Sequence, residues 1–290
     1  MNVLMNFKKD TTGLCAMLTR YINFLDVVEK KNWTPSVNWP ANKNWLESGE
    51  NIWPMLFQQQ TTDLEFTKHY TENFNIKEWH ESMPNDDNIV RYMVEIPKHG
   101  KFQNLYPRNK TLANKLISKY IKPRKSIMRK VDLCCLNHIE GNRTIGVHCR
   151  GPGRLHGGVG KLHTLLGIDG VPYEEYFNIL DDHIQDYDKI FLATDADVVR
   201  SVFKKRYGNL VTWETHELPT EGEAHASRNA RYTNPSAKKL FEMCLIDMYT
   251  LSRCDLFVFG NSNVPLYVQC LNADLITKCV YDYDILKRVK

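Results

Sequence analysis

Thr144-Ile145-Gly146-Val147-His148-Cys149-Arg150-Gly151-Pro152-Gly153-Arg154-Leu155-His156-Gly157-Gly158-Val159-Gly160-Lys161 is the stretch on which the reading of the fold turns. Its first five residues are short, largely β-branched or apolar, and suit a buried strand. They run straight into a loop of five glycines and two arginines. Glycines allow close backbone approach, and arginines supply forked donors suited to a phosphate. The strand pattern returns at Lys189–Thr194 (KIFLAT) and Asp255–Phe259 (DLFVF), and the spacing predicts helices over 171–185, 197–207 and 238–251. Buried strands alternating with helices predict βαβ units and a parallel sheet, whose ligands bind beyond the carboxyl ends of the strands.

Each strand is followed by polar residues. Asp195 follows the second strand, where a carboxylate can accept two hydrogen bonds from a base edge or a ribose, or can cap the helix that starts at Asp197. Gly260-Asn261-Ser262-Asn263-Val264-Pro265 follows the third, and such a turn into a helix presents N–H groups and hydroxyls to an anion as readily as it makes an ordinary cap. Gly160-Lys161 lacks the Ser or Thr of a Walker loop, and Gly151-Pro152-Gly153 lacks the third glycine of a dinucleotide fingerprint. Three polar loops above consecutive parallel strands together predict a nucleotide-diphosphate pocket.

The chain has 290 residues, more than one core usually organises, and two domains are expected, 1–140 and 141–290. Hydrophobic residues are 42% and charged residues 25%, which excludes disordered, collagen-like and coiled-coil classes. A net charge of +4 is too small to imply nucleic acid, and the basic run 119–130 (KYIKPRKSIMRK) is expected to be a solvated helix-loop-helix. No run approaches the ~18 apolar residues of a membrane span, the start lacks a signal-peptide pattern, and the eight cysteines follow no disulfide framework. A cytoplasmic protein is the expectation. The first 80 residues hold five of the six tryptophans among Asn, Pro and Gly, and read as an irregular, loop-rich half. Apolar residues from Leu14 to Val28 at three- and four-residue spacing predict a helix opening after Gly13, beside a possible substrate or phosphate contact.

Gly-Val-His-Cys-Arg-Gly (146–151), Ala-Thr-Asp-Ala-Asp (193–197) and Leu-Ser-Arg-Cys-Asp-Leu-Phe-Val-Phe-Gly-Asn-Ser-Asn-Val (251–264) resemble, in order and spacing, three motifs of the fucosyltransferase superfamily that includes α1,6-, nodulation and protein O-fucosyltransferases. Gly13 opening a helix, Asn32–Trp39 (NWTPSVNW) and Asn51-Ile52-Trp53 are similar to the acceptor-side domain of these enzymes. The resemblance implies a GT-B α/β architecture, two Rossmann-like domains facing across a cleft, and inverting transfer without a metal or other cofactor. The donor is a nucleotide sugar and the acceptor an oligosaccharide or glycoprotein glycan, with no nucleic acid and no membrane span.

By the same resemblance His148 lies near the nucleobase, Asp195 reads the base edge while Asp197 caps its helix, and Arg150 holds the pyrophosphate. Gly151 borders that arginine, and Asn261, Ser262, Asn263 and Val264 form the turn that contacts the phosphates. The familiar His-x-Arg-Arg-x-Asp-Lys and His-x-Arg-Gly-Thr-Asp-Lys patterns have lost their aspartate at Gly153, and their lysine is Arg154 here. A UDP-linked sugar such as xylose therefore competes with GDP-fucose, and a degenerate module that binds sugar nucleotide or glycan without turnover is the alternative function. Asp10 and His156 are the candidates for the general base that inversion needs; His225 is a more remote one. The absence of an anchor in this chain points to a bacterial, viral or otherwise cytosolic enzyme, a virus-encoded one acting in the host cytoplasm, with an excised catalytic domain as the alternative.

Overall fold

The computed structural model of the chain describes residues 1–7, 14–39, 51–58, 72–75, 89–90, 93–96, 100–103, 106–151, 171–215 and 237–281. Two parallel sheets dominate them. The first comprises β1 (Asn2–Asn6), β2 (Thr34–Asn38) and β3 (Glu72–Asn75) in the order β2-β1-β3, with Met5 opposite both Val37 and Phe74. Helix α1 (Leu14–Lys30) joins β1 to β2 and is buried at nearly every position from Leu14 to Val28. A helix apolar on most sides needs partners on most sides. It packs on β2 and also on two later helices, α3 (Lys110–Tyr120) and α8 (Asn263–Leu271).

This sheet corrects the expectation of an irregular first half. Thr-Pro-Ser-Val-Asn and Glu-Asn-Phe-Asn have little intrinsic strand preference; pairing with β1 on either side holds them extended, with β2 packed on α1 and Phe74 against Phe24 of α1. Two of the tryptophans expected among loops are core: Trp39 stacks on Phe241, and Trp53 on Phe57 with Tyr21 edge-on to it. Asn51 acts as a splint, its Oδ1 accepting from the N–H groups of Trp39 and Trp53 and its Nδ2 donating to the Val37 carbonyl. A short helix α2 (Trp53–Leu56) and an antiparallel pair, β4 (Met93–Ile96) with β5 (Gly100–Gln103), complete the first half before α3.

The second sheet is built on β6 (Thr144–His148), with β7 (Lys189–Ala193), β8 (Val211–Thr212), β9 (Leu256–Phe259) and β10 (Ile276–Cys279). All pairs are parallel and the order is β10-β9-β6-β7-β8. The crossovers are α5 (Tyr173–His183, continued by a 3-10 turn at Ile184–Asp186), α6 (Asp197–Tyr207), α7 (Ala237–Leu251) and α8. The predicted helix over 171–185 thus divides in two, and the strand expected from Asp255 begins at Leu256. Asp255 is instead an anchor, its Oδ2 accepting from the N–H of Thr144 at 2.7 Å.

Helix α4 (Lys125–His138) feeds β6 and packs against α7. The basic run is the surface helix-loop-helix expected of it, from the end of α3 to the start of α4. Three of its six charges have partners among the described residues: Lys119 with Glu29, Lys130 with Glu242, and the Arg124 guanidinium with the Pro54 carbonyl. All eight cysteines are free thiols. Among the described residues no helix is long and apolar enough to cross a membrane.

Candidate functional site

From β6 the chain winds outward to β7 and β8 on one side, then returns to add β9 and β10 on the other. The winding reverses at β6, and beyond the carboxyl ends of the strands at such a reversal, here β9, β6 and β7, open α/β sheets form their ligand crevice. Residues 148–151, 194–196 and 260–263 stand at those three ends.

Arg150 and Asp195 meet across the crevice floor. Nε and Nη2 of Arg150 donate to Asp195 Oδ2 at 3.3 and 3.2 Å, while Oδ1 accepts from the N–H of Gly151 at 2.7 Å. Both side chains are mostly buried, so the pair is shielded from the screening that weakens surface ion pairs. Roles that the resemblance puts at the two ends of a nucleotide thus fall on one ion pair. Asp195 fixes the plane of the guanidinium, and Nη1 carries no bond among the described residues.

Neither Asp195 nor Asp197 caps α6, which corrects the capping reading of both. The cap position is Ala196, with no side-chain bond, and Asp197 lies in the first turn, 3.7 Å from Arg200. Asp195 is turned away by Arg150 and Gly151, whose combined donors outweigh one helix N–H. The close approach requires glycine at 151, because a Cβ there would stand 2.4 Å from the Cβ of Ala196.

His148 ends β6 with its side chain buried, and its Nδ1 has no hydrogen-bond partner among the described residues. Burial, reinforced by the neighbouring Arg150 charge and only partly opposed by Asp195, lowers its pKa to about 3. The imidazole is therefore neutral throughout the physiological range. Asn261 is 3% exposed, and both its amide nitrogen and its amide oxygen lack partners among the described residues. Buried polar atoms are rarely left so, at a cost of about 1–3 kcal/mol each. These unsatisfied atoms stand at the end of β6 and just beyond the end of its neighbour β9.

Ser262 caps α8, its Oγ accepting from the N–H of Val264 at 3.4 Å, and Asn263 opens the helix. The helix start stands just beyond the end of β9, with the Val264 N–H taken by Ser262 and Pro265 carrying none. Two features escaped sequence reasoning. Tyr176, on α5, donates from its hydroxyl to the His148 carbonyl at 3.0 Å, and the strand end at Gly260 has room for no side chain, since a Cβ would meet Tyr176 Oη at 2.4 Å. Tyr176 lies on the apolar face of its helix with Phe177 and Leu180, where nothing in the sequence separates it from core. Asp10, Gly13, Arg154, His156 and His225 lie outside the described residues. At the three strand ends the described residues hold no cluster of metal-ligating side chains.

No protein-family model matches the sequence, and no curated protein matches it. Solved structures do. A NodZ alpha-1,6-fucosyltransferase soaked with GDP-fucose superposes with a TM-score of 0.55 at 17% identity, over 93% of this chain and 92% of that one. Fucosyltransferase NodZ from Bradyrhizobium gives 0.54 at 18%, over 93% of each chain. POFUT1 in its apo form gives 0.54 at 12%, over 96% of this chain and 97% of that one. The fold is that of the GT-B fucosyltransferases. The GT-B likeness extends over both parallel sheets, including the strands of the first half that composition concealed.

Proposed function

We propose that the chain is a metal-independent, inverting glycosyltransferase that moves a sugar from a nucleotide-sugar donor to a glycan acceptor. The observation that carries this reading is the gathering, at the reversal point of the second sheet, of the Arg150 fork, the neutral imidazole of His148 and the buried amide of Asn261, unpartnered among the described residues. The fold is shared with fucosyltransferases, one solved after soaking with GDP-fucose and another, POFUT1, in complex with GDP.

In this reading residues 141–290 hold the donor and 1–140 face the acceptor. His148 and Asn261 hydrogen-bond polar edges of the nucleotide. Arg150, with the N-terminal end of α8, faces the diphosphate. The acceptor hydroxyl attacks the anomeric carbon, a new carbon–oxygen bond forms, and the bond to the diphosphate oxygen breaks on the opposite face. The hydroxyl proton passes to a base, Asp10 or His156, and the electron pair leaves on the diphosphate. Arg150 and the helix N-terminus neutralise that charge as it grows, which is the part a metal plays in other transferases. Asp195 is a positioning residue that keeps the fork in plane. The donor is GDP-fucose or a UDP-sugar such as UDP-xylose.

The test is a mass-spectrometric assay of sugar transfer from these donors to an oligosaccharide panel, with slow donor hydrolysis as the fallback signal. Arg150→Ala is expected to keep its fold and lose about 3–4 kcal/mol of transition-state stabilisation, a rate loss of roughly two to three orders of magnitude. Unimpaired turnover in that variant would overturn the role of Arg150. Donor binding without transfer or hydrolysis in the unaltered chain would leave a binding module.

A further inference from the structure

A second cluster lies on the β8 edge of the second sheet, apart from the three strand ends of the donor crevice. Cys134 and His138 are four residues apart on α4 and therefore share one face of that helix. Glu214 follows β8, and its backbone carbonyl accepts from Arg200 Nη2 at 3.1 Å, which ties it to α6. The Cys134 thiol, one imidazole nitrogen of His138 and one carboxylate oxygen of Glu214 all lie within 4.8 Å of one another.

We propose that Cys134, His138 and Glu214 bind a zinc ion that staples helix α4 to the strand edge at β8. A thiolate, an imidazole and a carboxylate form a donor set suited to zinc, softer than magnesium or calcium sites use. In tetrahedral zinc sites, bonds of about 2.0 Å to nitrogen or oxygen and about 2.3 Å to sulfur put neighbouring ligand atoms about 3.3–3.8 Å apart. His138 Nε2 and Glu214 Oε2 already stand 3.5 Å apart, so only a small closure toward Cys134 is needed.

The imidazole is also oriented for the task. Its Nδ1 lies 2.5 Å from Thr212 Oγ1, on β8. With that nitrogen carrying the proton and donating to the hydroxyl, Nε2 is left to face the metal, the arrangement that outer-shell partners impose on ligating histidines. Cys134 is buried at the back, while His138 and Glu214 are part-exposed, at 17% and 29% of their side chains. The ion enters from that open side and keeps a water there as its fourth ligand. Binding releases the thiol proton to solvent, so no other reactant is needed. The site is independent of the transferase reading and stands or falls without it.

The experiment uses the full chain, stripped with a chelator and titrated with Co²⁺ followed by Zn²⁺ while absorption and the thermal midpoint are recorded. One equivalent of Co²⁺ is expected to give a thiolate-to-cobalt charge-transfer band and the visible bands of a tetrahedral site. Zn²⁺ should bleach both and raise the midpoint. Cys134→Ser should abolish the charge-transfer band. His138→Ala and Glu214→Ala, at part-exposed positions that leave folding intact, should each weaken Co²⁺ binding by about tenfold or more, at least what the loss of an outer-shell partner costs. No charge-transfer band in the unaltered chain overturns the proposal, as does a band that persists undiminished in Cys134→Ser or unchanged affinity in both other variants.

Discussion

Among single residues, His148 carries the sharpest physical constraint. An imidazole whose pKa is lowered to about 3 by burial and by Arg150 does no proton transfer near neutral pH, so its service is as a fixed neutral hydrogen-bonding group. The shift also has a thermodynamic consequence. In the unfolded chain His148 regains an ordinary value near 6.5, so between that pH and about 3 the unfolded state binds a proton that the folded state refuses. Stability must therefore fall as the pH drops through this window, with a slope from this one group approaching at most about 1.4 kcal/mol per pH unit. Urea unfolding at pH 7, 6, 5 and 4 should show the unaltered chain losing stability faster than His148→Gln. Parallel curves for the two proteins would mean that His148 takes up its proton without resistance. Arg150 is constrained differently: Asp195 holds two of its nitrogens, which fixes the plane of the guanidinium and with it the direction of the third.

At the scale of elements, α8 is both a crossover of the sheet and the start of the crevice wall. Its cap is one side chain, so Ser262→Ala should lower stability by about 1 kcal/mol, read as a shift in the urea midpoint at unchanged m-value. No shift would show that solvent or the neighbouring strand end satisfies Val264 N–H equally well. The elements around the crevice were the legible ones. β6 spans the five residues the pattern marks, and α6 runs over Asp197–Tyr207 as its spacing predicts, because buried parallel strands and amphipathic crossovers write themselves as long apolar runs and clear periods. β2, β3 and β8 were not legible. Thr-Pro-Ser-Val-Asn, Glu-Asn-Phe-Asn and the two-residue Val-Thr carry too few apolar residues to signal a strand, and their extended form is imposed by neighbours distant in sequence. The polar residues of the crevice were visible as types after each strand, but their pairing was not. That Asp195 would turn to Arg150 and Gly151 rather than cap α6 depends on Gly151 approaching Ala196, a contact between two strand ends 45 residues apart.

For the whole molecule, the two sheets are joined by helices rather than held apart by a linker. α1 packs on α8, α3 packs on α8, and α2 packs on α7, so buried apolar side chains run continuously from one sheet to the other. At this junction the Cys15 thiol on α1 lies 3.7 Å from that of Cys244 and 3.4 Å from the Met248 sulfur, both on α7. The N-terminal end of α1, beyond which Gly13 and Asp10 lie in sequence, is thus anchored to a helix of the second sheet. The proposed transfer needs that coupling, since acceptor and donor must meet. The central claim is narrower and can be tested first: a nucleotide diphosphate binds at the crevice through Arg150. Calorimetric titration of GDP, UDP, GDP-fucose and UDP-xylose into the folded chain and into Arg150→Ala tests it directly. The account predicts that at least one of the four binds the unaltered chain, and that its affinity falls by about a hundredfold in the variant, as loss of a charge-assisted pair of roughly 3 kcal/mol requires. Failure of all four to bind the folded chain, or equal affinity in the variant, would contradict it.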